Sequence, residues 1–159
     1  MFKIYKQYKN GGEILIHPDV KKSDSDYKAL RTIANNFAKR GKSVMLIPNT
    51  HFKSPAYTEI YGSLIGTVYE RKCPDMKVDD FFYEYESYLS PFKIRKISNM
   101  ISHGVKQSSR IIINNNKGAS DRYIKRLIYD RINSVKFTYD IEEVWIYEKG
   151  NVRLLFKKQ

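Results

Sequence analysis

Cys73-Pro74-Asp75-Met76-Lys77-Val78-Asp79-Asp80-Phe81-Phe82-Tyr83-Glu84-Tyr85-Glu86 is the stretch whose reading decides the fold. Met76 to Val78 is extended, Asp79-Asp80 makes a turn, and aromatic and polar residues alternate from Phe81 to Tyr88 as in a half-buried strand. With Thr67–Tyr69 extended on the far side of Pro74, two or three adjacent antiparallel strands are predicted. Residues two apart on a strand project from the same face, so Glu84 and Glu86 point together while Tyr85 points away. A neighbouring strand ending near Asp75 would add a third carboxylate. Clustered carboxylates repel unless a cation neutralises them, and a hard divalent ion such as Mg²⁺ or Mn²⁺, with Zn²⁺ as a further option, takes oxygen ligands of this kind. Such an ion lowers the pKa of its bound water and neutralises charge developing on a scissile phosphate, which makes phosphodiester hydrolysis the candidate chemistry. The plain structural alternative places Asp75 in a turn and Glu84 and Glu86 on a solvated strand face.

Upstream of this stretch, Val44–Ile47 is a compact apolar run bounded by Lys42-Ser43 and Pro48-Asn49, the mark of an interior strand. Before it, Ser25 or Asp26 can cap a helix that carries Leu30, Ile33, Ala34, Phe37 and Ala38 on one stripe and ends at Gly41. Glu13–Ile16 is a short strand. Residues 1–12, basic and aromatic and closed by Gly11-Gly12, form an arm or an edge segment. The irregular Thr50–Gly66 segment, broken by Pro55, Gly62 and Gly66, is expected to be a functional loop or lid.

Downstream, Ser90-Pro91 opens a second helix with Ile94, Ile97, Met100 or Ile101, and Val105 at helical spacing. Ile111–Ile113 is a further interior strand. Ser120 caps a helix running to about Ile132, and Val144–Tyr147 with Val152–Phe156 forms a terminal hairpin about Lys149-Gly150. The order is α/β throughout, with no internal repeat and no linker. One domain over residues 13–159 is therefore expected, with a core at 13–114 and a C-terminal extension at 115–159.

The chain has 159 residues, enough for one buried core, and its 29 Lys+Arg against 17 Asp+Glu give a formal charge of +12. That charge creates a field favouring polyanions. No apolar run is long enough to span a membrane, and the first residues lack a signal-peptide pattern, so a soluble, cytoplasmic chain is expected. The lone Cys73 excludes an internal disulfide and any multi-cysteine metal site. No glycine pattern matches a phosphate-binding or dinucleotide loop.

The succession of helix 26–40, strand 44–47, strand around Pro74-Asp75, strand 81–86, helix 92–107 and strand 110–114 resembles the αβββαβ, restriction-endonuclease-like core of the PD-(D/E)XK nuclease superfamily. It is similar in particular to the C-terminal nuclease domains of contact-dependent growth inhibition toxins, some of which cleave transfer RNA. The resemblance covers roughly residues 13–114 and implies a mixed central sheet, to which this chain adds a C-terminal helix and β-hairpin. It implies that Pro74-Asp75 is the PD pair, with Asp75 and Glu84 as metal ligands. Glu86 stands where the motif has its lysine. Family members can take that lysine from a neighbouring helix, which points to Lys106, with Lys96 as the fallback. Many relatives also carry a glutamate on the first helix, whereas residues 27–40 contain no carboxylate and Asp26 is the nearest. An acidic immunity protein is the partner that the resemblance implies.

Two other classes stay open. Metal-free RNases of the barnase, EndoU, colicin and RelE type use His, Lys, Arg and Tyr to deprotonate the ribose 2′-OH, and His17, His51 and His103 are the available imidazoles. A non-catalytic nucleic-acid-binding module on a degenerate nuclease fold is the other. In either case the helix from Ser120 is the favoured binding face. Arg122, Lys125, Arg126 and Tyr129 recur there at spacings of three and four, offering cations to phosphates and a ring to unpaired bases. RNA, tRNA first, is expected ahead of DNA.

Overall fold

The computed structural model describes residues 2–159, and the architecture is mixed α/β. Among the described residues there are eight strands and four α-helices, and each strand pairs with the next in sequence. The chain divides into two compact units, one up to Tyr83 and one from Glu84 onward.

The first unit runs β1 (Lys3–Gln7), β2 (Glu13–Ile16), α1 (Tyr27–Lys39), β3 (Ser43–Leu46), α2 (Pro55–Tyr61), β4 (Met76–Val78) and the start of β5 (Phe81–Glu86). β2 and β3 are parallel, with α1 as the crossover, while β1 pairs antiparallel with β2. β3, β4 and the start of β5 form an antiparallel meander in which Met76 faces Tyr83 and Val78 faces Phe81. The alternation in β2 and β3 buries Ile14, Ile16, Val44 and Leu46, and α1 lays Ile33, Ala34, Phe37 and Ala38 into the core. Gly12 is fixed by proximity, since a Cβ there would lie 1.8 Å from the carbonyl oxygen of Ala38.

Consecutive residues of β5 serve opposite faces: Tyr83 meets Phe37 of α1 at 5.7 Å, whereas Phe82 meets Tyr61 of α2 at 5.6 Å. Tyr57 and Tyr61 are both fully buried, and burial pushes the Tyr57 phenol up from its ordinary value. The Tyr57 hydroxyl donates to the carbonyl of Lys72, and that of Tyr61 lies within hydrogen-bonding distance of the carbonyls of Pro48 (2.7 Å) and Pro74 (3.1 Å).

Three local expectations change here, and one is narrowed. Residues 50–66 contain α2, because Pro55 sits at the start of the helix, where its missing N–H costs nothing, and Ser54 Oγ accepts from the Tyr57 N–H at 3.3 Å. Thr67–Tyr69 is a turn, with the Thr67 hydroxyl donating to the Leu64 carbonyl. Of the two forms expected for the N-terminal segment, residues 3–7 take the edge one, a strand with every residue exposed. Asp26 occupies the N-cap of α1 without a side-chain capping bond.

The second unit runs from the end of β5 through α3 (Arg95–Gly104), β6 (Arg110–Asn114), α4 (Asp121–Ile132), β7 (Glu143–Glu148) and β8 (Asn151–Lys157). β5, β6 and β7 are parallel, with α3 and α4 as crossovers, and β8 returns antiparallel. A strand with parallel neighbours on both sides is buried on both faces, and Ile111, Ile112 and Ile113 are all at 0% exposure. Ile111 and Ile113 pack with Ile97 and Ile101 of α3 and Ile124 and Ile128 of α4. The β7–β8 turn places Lys149 and Gly150 at φ 50° and 78°, the left-handed pair that matches a two-residue hairpin to the strand twist. α4 begins where expected, with Ser120 Oγ accepting from the Tyr123 N–H at 3.1 Å. α3 begins later than Ser90-Pro91, at Arg95.

Candidate functional site

Glu84 and Glu86 alternate with Tyr83 and Tyr85 along β5, and both carboxylates are buried, at 8% and 9% exposure. Tyr85 serves the opposite face, where its hydroxyl accepts from Asn114 Nδ2 at 3.0 Å and its ring meets Tyr147 at 6.0 Å. β5 is held in register with β6, Glu84 opposite Ile111 and Glu86 opposite Ile113.

The third member comes from the tail of α3. His103 Nδ1 lies 2.6 Å from Glu86 Oε1, and ligand atoms of Glu84, Glu86 and His103 all fall within 4.8 Å of one another. The carboxylates are buried while the imidazole side chain is 67% exposed, so the trio opens to solvent through His103. Close approach makes this possible. The next residue is Gly104, where a Cβ would stand 2.9 Å from Glu86 Cγ and 3.1 Å from Ile111 Cγ2.

Two buried carboxylates side by side favour a cation or a proton, and two oxygens with one imidazole nitrogen make a mixed donor set. Imidazole shifts preference from Mg²⁺ toward Mn²⁺ or Zn²⁺. The trio could therefore hold a metal ion. Glu86, which the resemblance puts at the place of the motif lysine, lies beside Glu84 and His103 and could serve with them as a ligand.

Asp75 is half-buried immediately before β4, next to Met76, which pairs with Tyr83, and it lines a cavity of about 310 Å³ together with Asp19, Asp24 and Lys21. Its carbonyl accepts from the Ile47 N–H at 3.3 Å. Lys106 is exposed in the turn after α3, its N–H donating to the His103 carbonyl at 3.3 Å. The Lys96 ammonium donates to the Leu89 carbonyl and stands over the Tyr88 ring. His17 and His51 use Nδ1 to accept backbone N–H groups, those of Asp19 and Lys53, which marks them as loop-shaping residues.

On α4, burial of Ile124 and Ile128 turns Arg122, Lys125, Arg126 and Tyr129 outward, and all four are exposed. Arg131 points the other way. Its guanidinium donates to Ser98 and Ser102 of α3 and to the Leu127 carbonyl, and desolvation lowers its pKa from the usual value. Arg131 is thus a tie between helices rather than part of the basic face.

His103 is the residue that sequence reasoning ranked lowest among those now in the trio. The only signal for it was the His103-Gly104 pair, a polar residue next to one able to accept a close neighbour. No helix among the described residues is long and apolar enough to cross a membrane. Comparison with protein-family models, curated proteins and solved structures finds no match to this chain.

Proposed function

We propose that this protein is a metal-dependent nuclease acting on RNA, tRNA first, in the cytoplasm, with the Glu84–Glu86–His103 trio as its metal centre. The observation that carries this reading is the convergence of the three ligand atoms within 4.8 Å at a place that is buried on the carboxylate side and exposed on the imidazole side. A catalytic centre needs such an open flank for water and substrate. When bound there, a divalent cation would neutralise the two carboxylates and polarise a phosphodiester or its attacking water.

The chain's own residues do the rest. Glu84 and Glu86, fixed by β6, hold charge in place, and Arg122, Lys125 and Arg126 grip phosphates without reading sequence. The order α1, β3, β4, β5, α3, β6, antiparallel from β3 to β5 and parallel from β5 to β6, supports the resemblance to the PD-(D/E)XK core. An acidic immunity partner that neutralises the basic face belongs to the same proposal.

One observation favours a second reading. Glu86 holds His103 through Nδ1, which presents Nε2 of an exposed imidazole as a base for a ribose 2′-OH, as a metal-free RNase requires. Incubation of a tRNA pool with the protein in Mn²⁺, Zn²⁺, Mg²⁺ or EDTA separates the two. The metal reading expects cleavage only with added metal, lost in Glu84→Gln and in His103→Ala. Cleavage that persists in EDTA and leaves 2′,3′-cyclic phosphate ends overturns it in favour of His103 as general base. Binding without cleavage under all conditions overturns both and leaves a binding module. Asp75→Ala, run alongside, reports on the Pro74-Asp75 pair separately.

A further inference from the structure

We propose that the cavity beside the C-terminal end of α4 receives one unpaired nucleobase of a bound RNA strand. The proposal rests on the reading of this chain as an RNA-binding protein and goes beyond it by assigning a base site apart from the carboxylate trio. The cavity measures about 540 Å³ and is lined by Tyr129, Phe137, Tyr139, Phe156, Lys157 and Lys158, among others. That volume lies within the range of about 300 to 1,000 Å³ typical of small-ligand pockets.

Its lining combines what a nucleotide needs. Four rings supply surfaces on which a planar base stacks whatever its identity, and cations stand beside them for the phosphate. The rings meet one another at steep angles, Tyr129 with Phe156 at 86° and Phe137 with Tyr139 at 60°. Neither pair forms a parallel stack that would exclude a third planar group. Lys157 is exposed, and Lys158 bridges Asp140 at 3.2 Å and Glu142 at 3.7 Å, which offsets the acidic group in the lining.

Tyr129 links this cavity to the basic face. It lines the cavity, is 50% exposed, and shares the outward face of α4 with Arg122, Lys125 and Arg126. A strand whose phosphates follow those cations reaches the cavity at the end of the helix. The occupant is thus argued from charge as well as from shape: a polyanion whose planar groups can leave their stack, which an apolar peptide is not.

The test uses the whole protein and two fluorescein-labelled RNAs, a short oligouridylate and the same oligomer with abasic riboses, compared by anisotropy in EDTA. The intact oligomer is expected to bind about tenfold more tightly than the abasic one, as loss of a stacked base implies. Tyr139→Ala is expected to remove that difference by weakening only the intact oligomer, while Tyr139→Phe keeps it, because stacking needs the ring and not the hydroxyl. On the wild-type protein, AMP is expected to shift NMR signals of Phe137, Tyr139 and Ile132, and ribose 5-phosphate to leave them unmoved. Equal affinity for the two oligomers, or AMP shifts confined to other residues, overturns the base site and leaves the metal reading standing. Base-dependent binding by a protein that cleaves nothing supports the base site while refuting the nuclease. Failure of both oligomers to bind overturns both proposals.

Discussion

Glu86 Oε1 and His103 Nδ1 stand 2.6 Å apart, joining a buried strand to the exposed tail of the following helix across 17 residues of sequence. A hydrogen bond of this length places one proton between the two atoms, which a metal ion bound by both would displace. Mn²⁺ affinity measured by calorimetry is therefore expected to weaken as the pH is lowered, with proton release on binding. Glu86→Gln and His103→Ala are each expected to weaken it by about tenfold or more, the scale on which even supporting groups act at metal sites. Unchanged affinity in both variants would remove the trio as a metal centre.

Gly104→Ala tests the same site through packing alone. The new methyl meets Glu86 Cγ at 2.9 Å and Ile111 Cγ2 at 3.1 Å, and Ile111 cannot yield because it is fully buried. Overpacking of this kind costs about 1 to 3 kcal/mol, to be read from urea unfolding. Part of the strain is expected to fall on Glu86, so Mn²⁺ affinity should drop together with stability. A variant as stable as the wild type would show that α3 can shift away.

The Arg153 guanidinium makes a bidentate pair with Asp121 at 2.8 and 2.7 Å, linking β8 to the first turn of α4, and this hydrogen bonding holds the Asp121 carboxyl below its ordinary pKa. A carboxyl whose pKa is lowered by folding contributes stability that is present above its unfolded pKa and lost as pH falls through the folded one. Both side chains are nearly half exposed, so Arg153→Ala is expected to cost no more than about 1 kcal/mol at neutral pH in low salt. The difference should close in acid. A deficit that persists unchanged below the carboxylate range would assign the effect to weaker packing of the arginine stem.

RNA affinity should fall steeply with salt if the outward face of α4 neutralises phosphates. Replacing Lys125 and Arg126 together by Ala is expected to lower the slope of log affinity against log salt by about 2, roughly one for each phosphate that is no longer neutralised. A flat salt dependence in the wild type would remove α4 as the binding face.

Much of this fold was legible because its signals are local. α1 and α4 announce themselves by apolar spacing and β3 and β6 by short apolar runs, and the Lys149-Gly150 turn by its composition. α2 was hidden because its buried side chains are Tyr57 and Tyr61, which read as polar surface until their hydroxyls find the carbonyls of Lys72, Pro48 and Pro74. The pairing of Glu84 with Glu86 followed from strand period alone. The place of His103 did not, because it depends on where α3 ends relative to β5, which no local pattern records.

β6 carries a consequence for how the second unit breathes. Its three isoleucines are sealed from water and its backbone is bonded to a strand on either side, so the amides of Ile111 to Ile113 can exchange with solvent only when the unit opens as a whole. Glu84 and Glu86 are registered against that strand, whereas His103 sits one residue from the end of α3 with its side chain largely exposed. Hydrogen exchange should therefore find two tempos within one constellation, slow backbone amides at Glu84 and Glu86 and a faster one at His103.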